Sequence, residues 1–178
     1  MIKLKKIAII YKSKYGATKK YAQWIKEALG ASIFEASEIR PEQLINFDLI
    51  IYGGGLYAGG INGAKLVSKN PWNKLVVFTV GLASPSITDY SEFYDKLFSK
   101  EKQKEIKFFN LRGAMDYKKL GFIHRQMMRF VKRVASNKPE SERTIDDKAM
   151  IETFGKEIDL IDKTTILPLI KYVEAELG

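Results

Sequence analysis

Two hydroxyl side chains, those of Ser13 and Thr18, lie five residues apart near the start of the chain, with Gly16 between them. The residues before them, 7–10, form a short apolar run typical of a strand buried on both faces. Apolar residues then recur at helical spacing up to Gly30, which suits a helix end. Such a strand-to-helix turn places both hydroxyls beside the free N–H groups and the positive dipole end of the helix. The ligand that this combination favours is a phosphate group.

The same turn also fits a purely structural role, in which Thr18 caps the helix and Gly16 only reverses the chain. Two well-known phosphate-binding patterns are excluded. No Gly-Lys-Ser/Thr follows the turn, as a nucleoside-triphosphate loop requires, and the turn has one glycine where a dinucleotide-binding turn has three.

A second stretch of interest is rich in glycine, with five glycines between positions 53 and 60 and Tyr57 among them. A backbone without side chains can lie flat against a planar ligand, and Tyr57 offers an aromatic face for stacking. A flexible loop with a surface tyrosine is the simpler alternative.

Taken together, the two stretches supply one end suited to a phosphate and one end suited to a planar ring. This combination fits FMN better than a nucleoside triphosphate.

Five predicted strands must position these stretches, and they alternate with helices along the chain. The strands are predicted at residues 7–10, 31–35, 48–53, 75–81 and 106–111. The alternation predicts an α/β fold with a doubly wound sheet, and the length predicts one domain over residues 1–178. Ligands of such sheets bind outside the carboxyl ends of the strands. The loops at residues 12–18, 53–61 and 81–86 leave those ends.

The composition excludes several kinds of chemistry. The chain has no cysteine and a single histidine, His124, which excludes disulfides, thiolate metal sites, cysteine nucleophiles and multi-histidine metal sites. No metal ligand and no catalytic side chain is predicted. No apolar run has membrane-spanning length and residues 1–6 lead directly into a strand, so the sequence predicts no secretory signal and fits a cytoplasmic protein.

The net charge of +9 is unevenly distributed. Residues 1–138 hold 25 Lys/Arg against 11 Asp/Glu, whereas residues 139–178 hold 5 against 10. A solvated surface is one interpretation. An anionic partner or a membrane surface is another, and nucleic acid is disfavoured because no recognised binding motif occurs.

Residues 112–138 contain an amphipathic helix pattern. One face of the helix is apolar and consists of Leu120, Ile123, Met127, Phe130, Val131 and Val134. The other face is basic and consists of Arg125, Arg129, Lys132 and Arg133. The pattern fits an ordinary helix that covers the sheet. It equally fits an element, over residues 120–135, that places the protein peripherally at an anionic membrane surface or binds an acidic partner.

The chain resembles the flavodoxin-like FMN-binding proteins, and within them it is similar to the menaquinone-dependent protoporphyrinogen oxidases. The resemblance rests on the turn at residues 13–18, on residues 50–61, and on residues 113–117 with the helix after them. It departs from the family at Tyr15, where flavodoxins usually have Thr, and in its basic charge.

The resemblance implies a flavodoxin-like three-layer sandwich whose five-stranded parallel sheet has the order 2-1-3-4-5, with FMN as cofactor. The FMN phosphate would be held by Ser13, Lys14, Tyr15, Gly16, Ala17 and Thr18. The ring would be bordered by Gly54, Gly55, Leu56, Tyr57, Ala58 and Gly59, and by Leu82, Ala83 and Ser84. The implied function is an electron carrier or a flavin-dependent oxidoreductase, with a redox protein or a quinone as partner. The alternatives are a quinone-dependent protoporphyrinogen oxidase-like enzyme and a cofactor-free binding module.

Overall fold

Five parallel strands form the central sheet of the computed structural model, which describes residues 5–57, 59–86 and 88–178, apart from the side chains of residues 145, 146 and 149. The strands are β1 (Ile7–Lys12), β2 (Ser32–Glu35), β3 (Leu49–Tyr57), β5 (Leu75–Gly81) and β6 (Ile106–Arg112), in the order β2-β1-β3-β5-β6. A two-residue strand, β4 (Gly60–Ile61), pairs antiparallel with β3. Counted among themselves, the five parallel strands have the predicted order 2-1-3-4-5, which is confirmed.

Helices cover both faces of this sheet, because alternate residues of the buried strands point to opposite sides. On one face, α1 (Ala17–Leu29) and α7 (Leu167–Leu177) pack against a cluster that includes Ile9, Ile51 and Phe78. The other face is covered by a 3-10 helix (Pro41–Asn46), α2 (Lys65–Ser68) and residues after α3 (Ser91–Asp95), where Phe98 is buried. A further short helix, α4 (Lys100–Gln103), comes directly before β6 in the chain. The predicted three layers are therefore confirmed.

The glycine-rich stretch is a strand over most of its length, so the prediction of an irregular loop from residue 53 is wrong. β3 continues through Gly53, Gly54 and Gly55 to Tyr57 and turns back into β4. The reason is packing on both sides of the strand. A Cβ atom on Gly53 would overlap the ring of Phe78, and one on Gly54 would lie 2.5 Å from Cγ2 of Ile61.

The described residues cluster into two compact units. Unit 1 comprises the central sheet and its helices, from the described N-terminus to Gly113 and again over Ile161–Gly178. Unit 2 comprises Ala114–Leu160. The prediction of one domain over residues 1–178 stays a prediction. Within the described residues, no helix combines the length and the apolar character that crossing a membrane requires.

Unit 2 contains two short antiparallel strands and two helices. The strands are β7 (Ala114–Asp116) and β8 (Glu157–Asp159), and the helices are α5 (Phe122–Asn137) and α6 (Ile145–Thr153). Its core is a cluster of Tyr117, Leu120 and Met128, with Met150 and Phe154 packed against it.

The helix predicted within residues 112–138 is confirmed as α5, and most of its apolar face is exposed. The residues of α5 that are buried are His124, Met128 and Ala135. Ile123, Phe130 and Val134, which belong to the predicted apolar face, are exposed. The core of unit 2 selects the Met128 side of the helix, because Tyr117 and Leu120 supply its neighbours there.

We expect the Tyr21 hydroxyl to be a measurable source of stability in unit 1. Tyr21 is fully buried on α1, where its hydroxyl donates to the carbonyl oxygen of Arg112 at 2.7 Å and accepts from the N–H of Asp162 at 3.0 Å. Tyr21→Phe should lower the free energy of unfolding in urea by about 1–2 kcal/mol, because it removes two hydrogen bonds. Tyr11→Phe is the matched control, since the Tyr11 hydroxyl has no hydrogen bond in the part of the chain described. Equal unfolding midpoints for the two variants would contradict this expectation.

Candidate functional site

Three segments of unit 1 meet at the carboxyl edge of the sheet. β1, β3 and β5 are parallel neighbours in which Lys12 pairs with Gly54 and Gly55 pairs with Val80. The turn after β1, the end of β3 and the loop after β5 therefore leave the same edge. Leu56 packs against the start of the third segment so closely that a Cβ atom on Gly81 would lie 2.9 Å from its Cδ1.

The first segment is the turn into α1, and its geometry matches an anion-binding helix start. Gly16 is the N-cap residue at φ 97°, a left-handed conformation that favours glycine. Its N–H donates to Oγ of Ser13 at 3.1 Å, and no side chain caps the helix. The first intrahelical bond runs from Lys20 N–H to Gly16 O, so the N–H groups of residues 17–19 have no intrahelical acceptor.

Thr18 is not the helix cap that the structural alternative required. It lies within the first turn of α1 and is only 3% exposed. Its hydroxyl has no hydrogen-bond partner among the residues that the structure describes. A Cβ atom on Gly55 would lie 3.4 Å from this hydroxyl, so the absence of a side chain there leaves the space beside Thr18 open.

The first segment contacts the end of β3 through the positively charged side chain of Lys14. The ammonium group of Lys14 lies 3.9 Å from the ring centroid of Tyr57 and 5.6 Å from that of Tyr15. A hydrogen bond to Tyr57 holds the pKa of Lys14 above its ordinary value, and the electrostatic effect of Tyr15 adds to this. Lys14 is therefore cationic at neutral pH. The turn thus combines a cation, two hydroxyls and free backbone N–H groups, and no acidic residue occurs in the first turn of α1.

The predicted ring-binding residues occupy three kinds of position. Gly54, Gly55, Leu56 and Tyr57 belong to β3, and Gly59 follows in the turn to β4 at φ 75°. Ala58 lies outside the described residues. Gly54 is required by packing against Ile61, whereas Gly55 is the glycine that faces Thr18.

The third segment, which contains Leu82, Ala83 and Ser84, is held by side chains that the sequence analysis missed. The carbonyl oxygen of Leu82 accepts from Nε and Nη2 of Arg112 at 3.3 and 3.0 Å, and that of Ala83 accepts from the Tyr90 hydroxyl at 3.3 Å. Both are positioning residues, because they fix the backbone of the segment. The signal for Arg112 in the sequence is its position directly after the last apolar residue of the fifth strand, although that position does not show which carbonyl oxygen it binds.

A buried hydrogen-bond cluster supports the sheet just below this edge. Oδ1 of Asn110 accepts from the hydroxyls of Thr79 at 2.6 Å and Tyr94 at 2.7 Å. Burial raises the pKa of Tyr94 to about 12, so its hydroxyl remains a donor at neutral pH. The cluster connects β5 to β6 at the paired residues Thr79 and Asn110, two residues before Gly81, where β5 ends.

Side chains suited to metal binding do not converge at this site. Within residues 5–57, 59–86 and 88–178 there is no group of three His, Asp or Glu side chains that could hold a metal ion. The three segments at residues 12–18, 53–61 and 81–86 carry no histidine and no carboxylate. Their chemistry is that of hydroxyls, backbone groups, aromatic rings and two cations, of which Lys12 is paired with Glu35. This combination suits a phosphate-bearing planar ligand.

A flavodoxin domain family model matches residues 8–142 of the chain. The chain belongs to the flavodoxin domain family. An uncharacterized protein of Methanocaldococcus jannaschii is 31% identical over 101 residues, which are 53% of this chain and 67% of that protein. The predicted resemblance to flavodoxin-like proteins is confirmed, and the sheet order of this flavodoxin domain agrees with it.

Several solved structures are similar to this flavodoxin domain at low sequence identity. A flavoprotein in complex with FMN from Lactobacillus acidophilus is 17% identical with a TM-score of 0.40, and the match covers 61% of this chain and 92% of that one. A flavodoxin from the domain Archaea is 15% identical with a TM-score of 0.42, over 60% of this chain and 82% of that one. The rubredoxin oxygen:oxidoreductase of Desulfovibrio gigas is 13% identical with a TM-score of 0.47, over 97% of this chain but 37% of that one.

Proposed function

We propose that this flavodoxin domain binds FMN and transfers electrons, as an electron carrier or as a flavin-dependent oxidoreductase. The observation that carries the proposal is the Thr18 hydroxyl, which has no hydrogen-bond partner within the described residues and lies at the start of a 13-residue helix, on a side chain that is otherwise buried. Its oxygen is not one of the fully enclosed polar atoms, so a ligand can reach it. A phosphate oxygen beside Thr18 accepts a hydrogen bond from this hydroxyl and meets the positive end of the helix dipole.

Several groups of the first turn would hold the phosphate together. Thr18 and Ser13 supply hydroxyls, Lys14 supplies a cation, and Ala17 and the two residues after it supply free backbone N–H groups, whereas Gly16 shapes the turn and its N–H binds Oγ of Ser13. Tyr15 is 41% exposed and lies beside Lys14, so it covers the outer side of the turn. The residues present therefore fit the phosphate end of FMN.

The ring end of FMN is assigned to the other two segments. Gly54, Gly55, Leu56, Tyr57 and Gly59 border it on one side, together with Ala58, which lies outside the described residues. Leu82, Ala83 and Ser84 border it on the other. Lys14 lies over one face of the Tyr57 ring, so that face accepts a flavin only when the ammonium group moves aside.

Bound FMN supplies reversible transfer of one or two electrons. The chain binds and orients the cofactor. Because the three segments carry no histidine, cysteine or carboxylate, no further step is assigned to the chain's own side chains.

The test is a titration of the purified, flavin-free protein with FMN and with riboflavin, followed by flavin fluorescence and absorbance. We expect saturable binding of FMN at least about tenfold tighter than that of riboflavin, because charge-assisted hydrogen bonds to the phosphate are among the stronger ones. Saturable FMN binding with no preference over riboflavin would overturn the phosphate assignment. Absence of binding would leave a cofactor-free module as the better description.

The narrower candidate is a quinone-dependent enzyme similar to the menaquinone-dependent protoporphyrinogen oxidases. The observation that favours it is α5, which carries four basic residues and no acidic one, and so suits an anionic substrate or membrane surface. Such an enzyme would oxidise a porphyrinogen in a first transfer and reduce a quinone in a second, and FMN held by the residues of the first turn would supply the electron-transfer chemistry. Anaerobic reduction followed by stopped-flow mixing with a menaquinone analogue tests the second transfer, and turnover with a porphyrinogen tests the first.

We expect Tyr57→Ala to weaken FMN binding roughly fivefold, since an aromatic pair contributes on the order of 1 kcal/mol beyond area burial. The reduction midpoints of bound FMN should also shift. Tyr57→Phe is the control, because it keeps the ring and removes only the hydroxyl that interacts with Lys14. If Tyr57→Ala binds FMN as tightly as Tyr57→Phe and the midpoints do not move, the ring of Tyr57 does not stack on the flavin.

A further inference from the structure

Helix α5 of unit 2 presents most of the exposed large hydrophobic side chains of the described residues. Five of eight belong to it, namely Phe122 at 75% exposed, Ile123 at 78%, Phe130 at 68%, Val131 at 40% and Val134 at 45%. Ile123, Phe130 and Val134 recur at i, i+7 and i+11, so they form one line along the helix. We call these three residues the apolar stripe. The buried side of α5, with His124, Met128 and Ala135, lies elsewhere on its circumference.

Two exposed cations border the apolar stripe along one side. Arg129 and Arg133 are exposed and make no ion pair or hydrogen bond to another residue that the structure describes. The other two basic residues of α5 are used within unit 2. Arg125 donates to the carbonyl oxygen of Leu120 at 3.0 Å, and Lys132 lies 4.6 Å from the ring centroid of Phe154.

We propose that α5 lies in the plane of an anionic lipid surface, with the apolar stripe inserted and with Arg129 and Arg133 against lipid phosphate groups. The charges are complementary, since the 16 residues of α5 include four cations and no anion. The helix is about 24 Å long, which suits an interfacial position and is too short for a span. Its exposed apolar side chains can enter a fluid bilayer directly, whereas a folded protein partner needs a matching groove.

This inference is independent of the flavin proposal, because no residue of α5 belongs to the candidate FMN site. Variants of α5 should therefore leave the FMN titration unchanged. A failure of the lipid proposal and a failure of the FMN proposal are then distinguishable in the same set of proteins.

The first experiment is flotation of the full chain with vesicles of phosphatidylcholine alone or mixed with phosphatidylglycerol. We expect binding to the mixed vesicles at low salt, weakened at high salt because the surface charges are screened. Arg129→Gln with Arg133→Gln should weaken it roughly tenfold or more, at roughly fivefold per charge. Ile123→Ser with Phe130→Ser should weaken it to a similar extent, since both remove inserted apolar area.

Matched controls make the same chemical changes in unit 1. Ile45→Ser replaces an apolar side chain that is 53% exposed, and Lys69→Gln with Lys171→Gln removes two exposed charges. Both control proteins should bind the mixed vesicles like the parent. Equal loss in the controls and in the α5 variants would mean that binding follows overall charge or apolarity, and would overturn the assignment to α5.

The second experiment uses the absence of cysteine from the chain. A polarity-sensitive fluorophore on Val134→Cys should shift to the blue when mixed vesicles are added, and the same fluorophore on Ile45→Cys should not. The proposal is overturned by any of three results: no binding at low salt, unchanged binding of the Ile123→Ser and Phe130→Ser protein, or no spectral shift at position 134. Lipid-free self-association that these two serine substitutions abolish would also overturn it, and would identify a second copy of the chain as the occupant.

Discussion

We expect Gly53→Ala to destabilise the sheet strongly, and far more than Gly60→Ala, the other methyl addition proposed for the glycine-rich stretch. Gly53 lies in β3, between β1 and β5, and a Cβ atom there would lie 2.5 and 2.7 Å from the two Cε atoms of Phe78. Phe78 is fully buried, so its ring cannot move aside without disturbing its neighbours. Gly53→Ala should therefore lower the free energy of unfolding by about 3 kcal/mol, the upper end for overpacking of a core. Urea denaturation followed by circular dichroism measures this.

The control for this prediction is Gly60→Ala in β4. A Cβ atom on Gly60 would meet only the carbonyl oxygen of Tyr57 at 3.9 Å, an ordinary contact, so its unfolding midpoint should stay close to that of the parent. A second arm is Gly53→Ala in a Phe78→Leu background. The smaller side chain leaves room for the methyl group, so the two substitutions should cost less together than the sum of their separate effects. Equal midpoints for Gly53→Ala and Gly60→Ala would contradict the prediction.

The glycine-rich stretch illustrates why its strand was not predictable from local sequence. A run of Gly53, Gly54 and Gly55 weakens any strand pattern, because glycine lacks a side chain and loses the most conformational freedom on folding. The residue that makes Gly53 necessary is Phe78, which belongs to the neighbouring strand β5 and is distant in the sequence. The apolar strands themselves were predictable, since each is a continuous run flanked by polar or turn residues.

Helix α5 illustrates a different limit of the sequence pattern. Its periodicity correctly predicted an amphipathic helix, because apolar and basic residues alternate at helical spacing. The pattern does not show which side of the helix is buried. That depends on which residues outside the helix form a core, and Tyr117 and Leu120 form one with Met128. Ile123, Phe130 and Val134 therefore remain exposed.

Residues of the candidate site that act through their own side chains could be proposed from the sequence. Residues that act by holding backbone carbonyl oxygens could not. Ser13 and Thr18 are recognisable because hydroxyls beside a helix start have an evident use. Arg112 and Tyr90 were missed because they act through the carbonyl oxygens of Leu82 and Ala83, and a sequence does not show which carbonyls need a donor.

Thr18→Val is expected to weaken FMN binding roughly 10–100-fold and to leave riboflavin binding unchanged. Valine keeps the shape of threonine and removes the hydroxyl, so the phosphate loses a hydrogen bond in a site where Thr18 is only 3% exposed. The loss of one buried hydrogen bond of this kind costs about 1–3 kcal/mol. Riboflavin has no phosphate, so its affinity reports the ring end of the site alone. Fluorescence titrations of both ligands on the same protein preparation provide the measurement.

Thr18→Ser is the matched variant, because it keeps the hydroxyl and removes the methyl group. It should retain most of the FMN affinity, even if the small cavity left in α1 lowers stability slightly. Thr18→Val should be about as stable as the parent without ligand, since the hydroxyl that it removes has no hydrogen-bond partner within the described residues. If Thr18→Val weakens riboflavin as much as FMN, or if Thr18→Ser loses as much FMN affinity as Thr18→Val, the hydroxyl does not bind the phosphate, and Thr18 acts on the site only through packing.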